Sequence, residues 1–188
     1  MRPLAVALTG GIAAGKSEAL QAFARHGAAT ISSDEVVHDL YRDDVELQAA
    51  LRERWGDSVF AGGEVDRAAI GRIVFADRGE LAWLESALHP RVRAATADWL
   101  ARQTAEVAVA EIPLLFETGG ESRFDKVVVI TAPVEMRVER RGELANREAR
   151  LVPEDEKVRR ADFAYVNDGT LEELDAFVVG VLEELTAR

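Results

Sequence analysis

Near the N-terminus, Gly10-Gly11-Ile12-Ala13-Ala14-Gly15-Lys16-Ser17 reads G-x-x-x-x-G-K-[ST] in full. Those residue types suit a chain of phosphates. Glycines let backbone N–H groups close around phosphate oxygens, and the start of the following helix adds partial positive charge. In such a loop Gly11, Ala13, Ala14 and Gly15 act through their backbone. Lys16 would span the β- and γ-phosphates of a nucleotide, and Ser17 would ligate Mg²⁺. The bland alternative is a chance strand–turn–helix, and the local context argues against it.

Carboxylates and arginines supply the remaining chemistry. Asp34 lies just after the second strand, at the edge of the sheet where acceptors bind in α/β folds. There it serves as a base that orients and deprotonates an attacking hydroxyl, or as an ordinary helix cap. His38 shares its helical face and reads as a surface or packing residue. Glu111 closes a strand, where it either holds a magnesium-bound water or faces solvent. Between residues 137 and 160 there are seven arginines (137, 140, 141, 147, 150, 159 and 160). They form either a solvated face paired with glutamates or a clamp on phosphates.

Those groups need a frame. Leu4–Leu8, Ala28–Ile31, Val107–Ile112, Lys126–Thr131 and Phe163–Asn167 read as strands. Ser17–His26, stopped by Gly27, reads as a helix, and another starts at Ser32-Ser33-Asp34. Residues 45–104 read as almost wholly helical, punctuated by Gly56, Gly62-Gly63, Gly79 and Pro90. The last helix puts Leu171, Leu174, Phe177, Val178, Val181, Leu182 and Leu185 on one face. Apolar strands alternating with helices predict an α/β fold with a parallel sheet covered on both faces.

Composition narrows the function. The 188 residues suit one domain with an inserted part, and the balance of 34 acidic against 23 basic residues gives a net charge of −11. That field opposes binding to nucleic acid or to an anionic membrane. No run approaches the length of a membrane span. The apolar start is too short and too interrupted for a signal peptide. The absence of cysteine excludes disulfides and a thiol nucleophile and fits a reducing, cytoplasmic setting. Only three basic residues are lysines (Lys16, Lys126 and Lys157), so Lys16 in its glycine loop stands out. The N-K-x-D and D-x-x-G strings of switch GTPases do not occur, and motor ATPases need longer chains. A kinase of small metabolites is the class that remains, with no obligate protein partner evident.

Taken with the loop, "WGDSVFAGGEVDRAAIGRIVF", "LESALHPRV", "EIPLLFE" and "RADFAYVNDGTLEEL" follow one another across nearly the whole chain. The sequence thereby resembles the dephospho-CoA kinase family. The resemblance implies ATP and dephospho-CoA as substrates and Mg²⁺ as metal. It also implies a P-loop kinase-like core (about 1–36, 105–135 and 161–188), a helical acceptor-binding insertion (about 37–104) and a short arginine-bearing lid (about 136–160), all in one kinase domain. By the same resemblance Asp34 is the base, with Lys16 and Arg140 completing the catalytic set. Glu18, Arg141 and Asn167 join the loop in holding the nucleotide, Asn167 beside adenine. Thr9, Arg67, His89, Leu114 and Leu115 line the acceptor side with Asp34, and Ser17 and Glu111 serve the metal. Arg91 joins Arg67 and His89 as a candidate for the acceptor's phosphates, with surface salt bridges as the alternative for all three. Pro113 would fix the turn, and Phe116 would wall the acceptor pocket with Leu114 and Leu115. The chain departs from the family pattern in four places. Ser32 stands where a second aspartate is usual, Ala13-Ala14 replace Gly-Ser, Glu18 replaces a threonine, and Leu151 replaces a glutamine. A related kinase with a shifted acceptor, or an inactive nucleotide-binding module, are the competing readings.

Overall fold

Five apolar segments form a wholly parallel sheet: β1 (Leu4–Gly10), β2 (Ala29–Ser32), β5 (Val107–Glu111), β6 (Lys126–Thr131) and β7 (Phe163–Val166). The short strands β3 (Phe60–Ala61) and β4 (Glu64–Val65) lie elsewhere, in a hairpin. The structure is a computed structural model that describes residues 2–141 and 151–187, with only the backbone of Arg141. Two compact units emerge: residues up to Ser32 together with those from Leu100 onward, and Ser33–Trp99.

In the first unit the strand order is β2-β5-β1-β6-β7, so β1 is central. In β1 and β6 alternate residues enter opposite cores, as the period of two requires, whereas the edge strand β7 leaves Ala164 and Val166 exposed. Val6, Leu8, Val128 and Ile130 pack on one side with α1 (Lys16–Arg25) and α8 (Leu171–Thr186). Ala7, Val127 and Val129 face the other side, where Leu115 and Phe116 cover them. Helix α8 begins with a reciprocal capping box between Thr170 and Glu173, a device worth about 1 kcal/mol. Of its apolar stripe Leu174, Val178 and Val181 are buried, Phe177, Leu182 and Leu185 pack partly buried beside them, and Leu171 at the first position is exposed. Two more helices, α6 (Val134–Arg141) and α7 (Glu154–Arg160), flank residues 142–150, so the central part of the expected lid, with Arg147 and Arg150, lies outside the described residues.

The second unit comprises α2 (Ser33–Asp43), α3 (Val45–Trp55), the β3–β4 hairpin, α4 (Arg67–Ala76) and α5 (Arg78–Ala101), whose last two residues reach the other unit. Tyr41, Leu47, Leu51, Val59, Ile70, Val74 and Leu84 form its core. Asp44 caps α3 and Asp66 caps α4, each through its carboxylate. Two expectations fail here. Residues 60–65 form a hairpin, turned by Gly62 and Gly63 at φ of 60° and 90°, the positive values that a tight two-residue turn requires. Pro90 does not break its helix, because α5 runs through it and buries Leu84 before it and Thr96 after it; the burial outweighs the forfeited backbone bond.

Candidate functional site

Strand β1, flanked by β5 and β6, delivers the glycine loop at the C-terminal end of the sheet, where open α/β sheets bind ligands. The loop runs straight into α1, whose first N–H groups have no intrahelical partner. Lys16 turns back on the loop, its Nζ donating to the carbonyls of Gly11 at 2.7 Å and Gly10 at 3.4 Å. Ala13 has φ of 59°, the one left-handed non-glycine among the described residues. It stands where the family pattern has glycine, and the departure costs about 1–2 kcal/mol of backbone strain. Side chains from elsewhere fasten this conformation. Asn167 Nδ2 donates to Ala14 O at 2.8 Å, and Arg140 Nη1 donates to Ala13 O at 3.1 Å. Gly15, at φ of 102°, leaves the space that Asn167 fills, since a Cβ there would lie 2.2 Å from Nδ2.

Ser17 is exposed in the first turn of α1. Glu111 is half-buried at the end of β5, in register with Leu8 on one side and Ser32 on the other. Glu18 pairs with Arg25 at 3.1 Å along the same helix, so its carboxylate is engaged away from the loop backbone. Thr9 and Leu115 have no exposed surface, which makes their expected contact with an acceptor indirect. Thr9 Oγ1 reaches Pro113 O at 3.5 Å, and Leu115 is core beneath the sheet. Leu114 keeps partial exposure. Asn167 is likewise buried, its amide committed to the loop. The side chain of Arg141 lies outside the described residues.

Two cations of the first unit are buried, each paired with a partly buried glutamate, and three of these four residues (Glu117, Glu154 and Lys157) are absent from the expected site. Arg137 pairs with Glu154 at 3.3 Å, and Lys157 pairs with Glu117 at 2.8 Å with its side chain 1% exposed. Glu117 also accepts the N–H of Val152 at 3.0 Å. One sequence signal pointed at this group: Lys157 is one of three lysines in a chain rich in arginine.

In the second unit, Asp34 occupies the first turn of α2, exposed, and its carboxylate makes no hydrogen bond or ion pair to any described residue. By chain connection it lies two residues beyond the end of β2. Arg67 is exposed at the start of α4, and its charge acts on Tyr41. His89 is half-exposed in α5. Arg91 is spent on structure, its Nε on the capping Asp44 at 3.0 Å and its Nη1 on Ala87 O at 2.9 Å. His38 is exposed, as expected.

The dephospho-CoA kinase family model matches residues 4–173. A dephospho-CoA kinase of Mesorhizobium japonicum is 42% identical over an alignment of 196 positions that covers 98% of each chain. Among solved structures, TT1252 from Thermus thermophilus superposes with a TM-score of 0.82 at 33% identity over 100% of both chains. The dephospho-CoA kinase from Campylobacter jejuni superposes with a TM-score of 0.74 at 28% identity over 98% of both. By sequence along nearly its whole length, and by fold, the chain belongs to the dephospho-CoA kinase family.

Proposed function

We propose that this protein transfers the γ-phosphoryl group of ATP to the ribose 3′-hydroxyl of dephospho-CoA, giving coenzyme A and ADP. The observation that carries the reading is a phosphate loop, complete with Lys16, at the head of the central strand of a chain that is a family member along nearly its whole length. Phosphoryl transfer asks a protein mainly for positioning and charge. Loop N–H groups and the start of α1 hold the β- and γ-phosphates, and Lys16 exchanges the carbonyls of Gly10 and Gly11 for phosphate oxygens. Arg140, resting on the loop at Ala13 O, adds a planar cation beside them. Asp34 takes the proton of the 3′-hydroxyl as its oxygen bonds to phosphorus and the bond to the ADP oxygen breaks. An exposed carboxylate without a competing partner suits that role. Arg67 and His89 hold the phosphates of the acceptor.

Mg²⁺ fits the donors present. It keeps much of its water and takes phosphate oxygens, so one or two hard protein oxygens suffice. The Ser17 hydroxyl would hold it directly and the Glu111 carboxylate through a water. When bound, the ion neutralises charge on the phosphates. Among the described residues no helix is long and apolar enough to cross a membrane, and with the acidic, cysteine-free composition we place the enzyme in the cytoplasm.

The test follows ADP release from Mg-ATP with dephospho-CoA, coenzyme A or adenosine as acceptor, with products identified by mass. Dephospho-CoA should be turned over best. Coenzyme A, whose 3′-oxygen already carries phosphate, should only inhibit. Adenosine lacks the diphosphate arm whose binding energy positions the hydroxyl, so its kcat/KM should be far lower. Preference for a nucleoside monophosphate or a sugar acid would overturn the reading.

A further inference from the structure

Glu154 opens α7 with both carboxylate oxygens engaged at the phosphate-loop end of the sheet. Oε2 accepts from Thr131 Oγ1, at the end of β6, at 2.5 Å. Oε1 is buried without a hydrogen bond and faces Arg137 Nη1 at 3.3 Å. The Arg137 side chain is only 3% exposed, and its Nε donates to Ala132 O at 3.0 Å. This pair lies directly on the loop: a Cβ on Gly11 would stand 1.8 Å from Glu154 Oε1 and 3.2 Å from Arg137 Nη1. Arg140, three residues after Arg137 on α6, is the residue that reaches Ala13 O. Glu154 is itself anchored, because the next turn of α7 carries the buried Lys157–Glu117 pair and Arg160 pairs with Glu121.

A buried ion pair is weak evidence of stability, since apolar residues of like volume often serve as well. What it does supply is a fixed geometry. We propose that Glu154 is a positioning residue for phosphoryl transfer: through Arg137 it fixes the helix that presents Arg140 at the phosphate loop. The inference rests on Arg140 acting at the phosphates.

A double-mutant cycle between Glu154 and Arg140 tests it. Glu154→Gln keeps the shape and removes the charge. It should lower kcat about tenfold, as a small misplacement of a charged group does, and leave KM for dephospho-CoA unchanged. With Arg140→Ala already present, the same change should lower kcat less than about twofold, because the group it positions is gone. An equal loss in both backgrounds, or none in the intact enzyme, overturns the inference while leaving Arg140 in its role. If Arg140→Ala alone does not change kcat, the role of Arg140 falls and this inference falls with it; the acceptor assay then judges the activity separately. Should Glu154→Gln not stay folded, the neutral pair Arg137→Gln with Glu154→Gln carries the comparison. A folded neutral pair with kcat still low supports positioning by charge. Recovery of kcat along with the fold reduces the pair to a stabilising contact and overturns the proposal.

Discussion

The two ends of the parallel sheet use polar groups in opposite ways. At the N-terminal end, carboxylates start strands. Asp125 accepts from Nη1 and Nη2 of Arg2, each at 2.7 Å, and from the Ala5 N–H at 2.8 Å. Asp162 does the same for β6, accepting the Val127 N–H and the Lys126 ammonium, both at 2.8 Å. Each also donates its own N–H to the strand it caps. At the C-terminal end, Ala13 is strained, Lys16 binds its own loop, and one oxygen of Glu154 has an ion pair but no hydrogen bond. A fold under selection for stability alone would build both ends like the first. Among the described residues, a left-handed non-glycine occurs only at the second end, and backbone strain of that kind collects where function competes with stability.

That contrast breaks most sharply at Asp34, which follows the C-terminal end of β2. Asp34→Asn keeps the size of the side chain and removes proton acceptance. Positioned acid–base groups contribute about 10²- to 10⁴-fold, so kcat should fall within that span while the melting temperature and ATP binding hold. A loss below about threefold would leave Asp34 as a helix-end residue only. Lys16→Ala comes next. Its partners are loop carbonyls, not core, so the fold should persist while turnover drops by about a hundredfold or more through lost charge stabilisation. Normal turnover in the folded variant would remove the phosphate-loop assignment.

How much of this is legible in sequence follows from how local each feature is. The central strands β1, β5 and β6 are continuous apolar runs because both their faces are covered, while the edge strand β7 leaves Ala164 and Val166 exposed; all five are legible, with small shifts at their ends. β1 runs on to Gly10, and β7 stops at Val166. The hairpin was missed because strands of two residues carry no period. Pro90 reads as a helix stop because propensity carries no information about the burial of Leu84 before it and Thr96 after it. Within the site, the loop is a contiguous motif and legible as such. Glu117 and Lys157, or Arg137 and Glu154, meet only once the sheet has brought their elements together. The run Leu114-Leu115-Phe116 reads as uniformly apolar, yet only Leu114 keeps exposure while the other two enter the core; a sequence does not say which side of a loop faces in.

Asn167 sharpens the comparison from between the two extremes, since it is a buried residue whose side-chain amide holds the loop. Asn167→Ala removes that bond and leaves Ala14 O without its donor, a cost of about 1–2 kcal/mol. Because the lost bond shapes the ATP side, KM for ATP should rise about tenfold, the equivalent of that energy, with KM for dephospho-CoA unchanged. A fall in stability with no change in KM for ATP would make Asn167 a packing residue, like those of the other end.

The smallest effect belongs at the N-terminal end, and it should appear in stability alone. Hydrogen bonds from Arg2, then the Ala5 N–H and the charge of Arg2, outweigh burial and hold the Asp125 carboxyl below its ordinary value of 3.8. A carboxylate whose pKa is lower folded than unfolded stabilises the protein above the unfolded pKa, and that contribution disappears as pH falls through the folded one. Asp125→Asn should therefore cost about 1 kcal/mol at neutral pH, the net worth of such hydrogen bonds at a half-exposed site. From pH 7 down to about 5 the difference from the parent should stay constant, then shrink below pH 4 as the parent carboxylate protonates. Urea unfolding of both proteins across that range measures it, and kcat at neutral pH should match within about twofold, since a strand cap acts on stability and not on chemistry. A pH-independent difference would mean that shape, not charge, makes Asp125 a cap; a large loss of turnover would erase the division between the two ends.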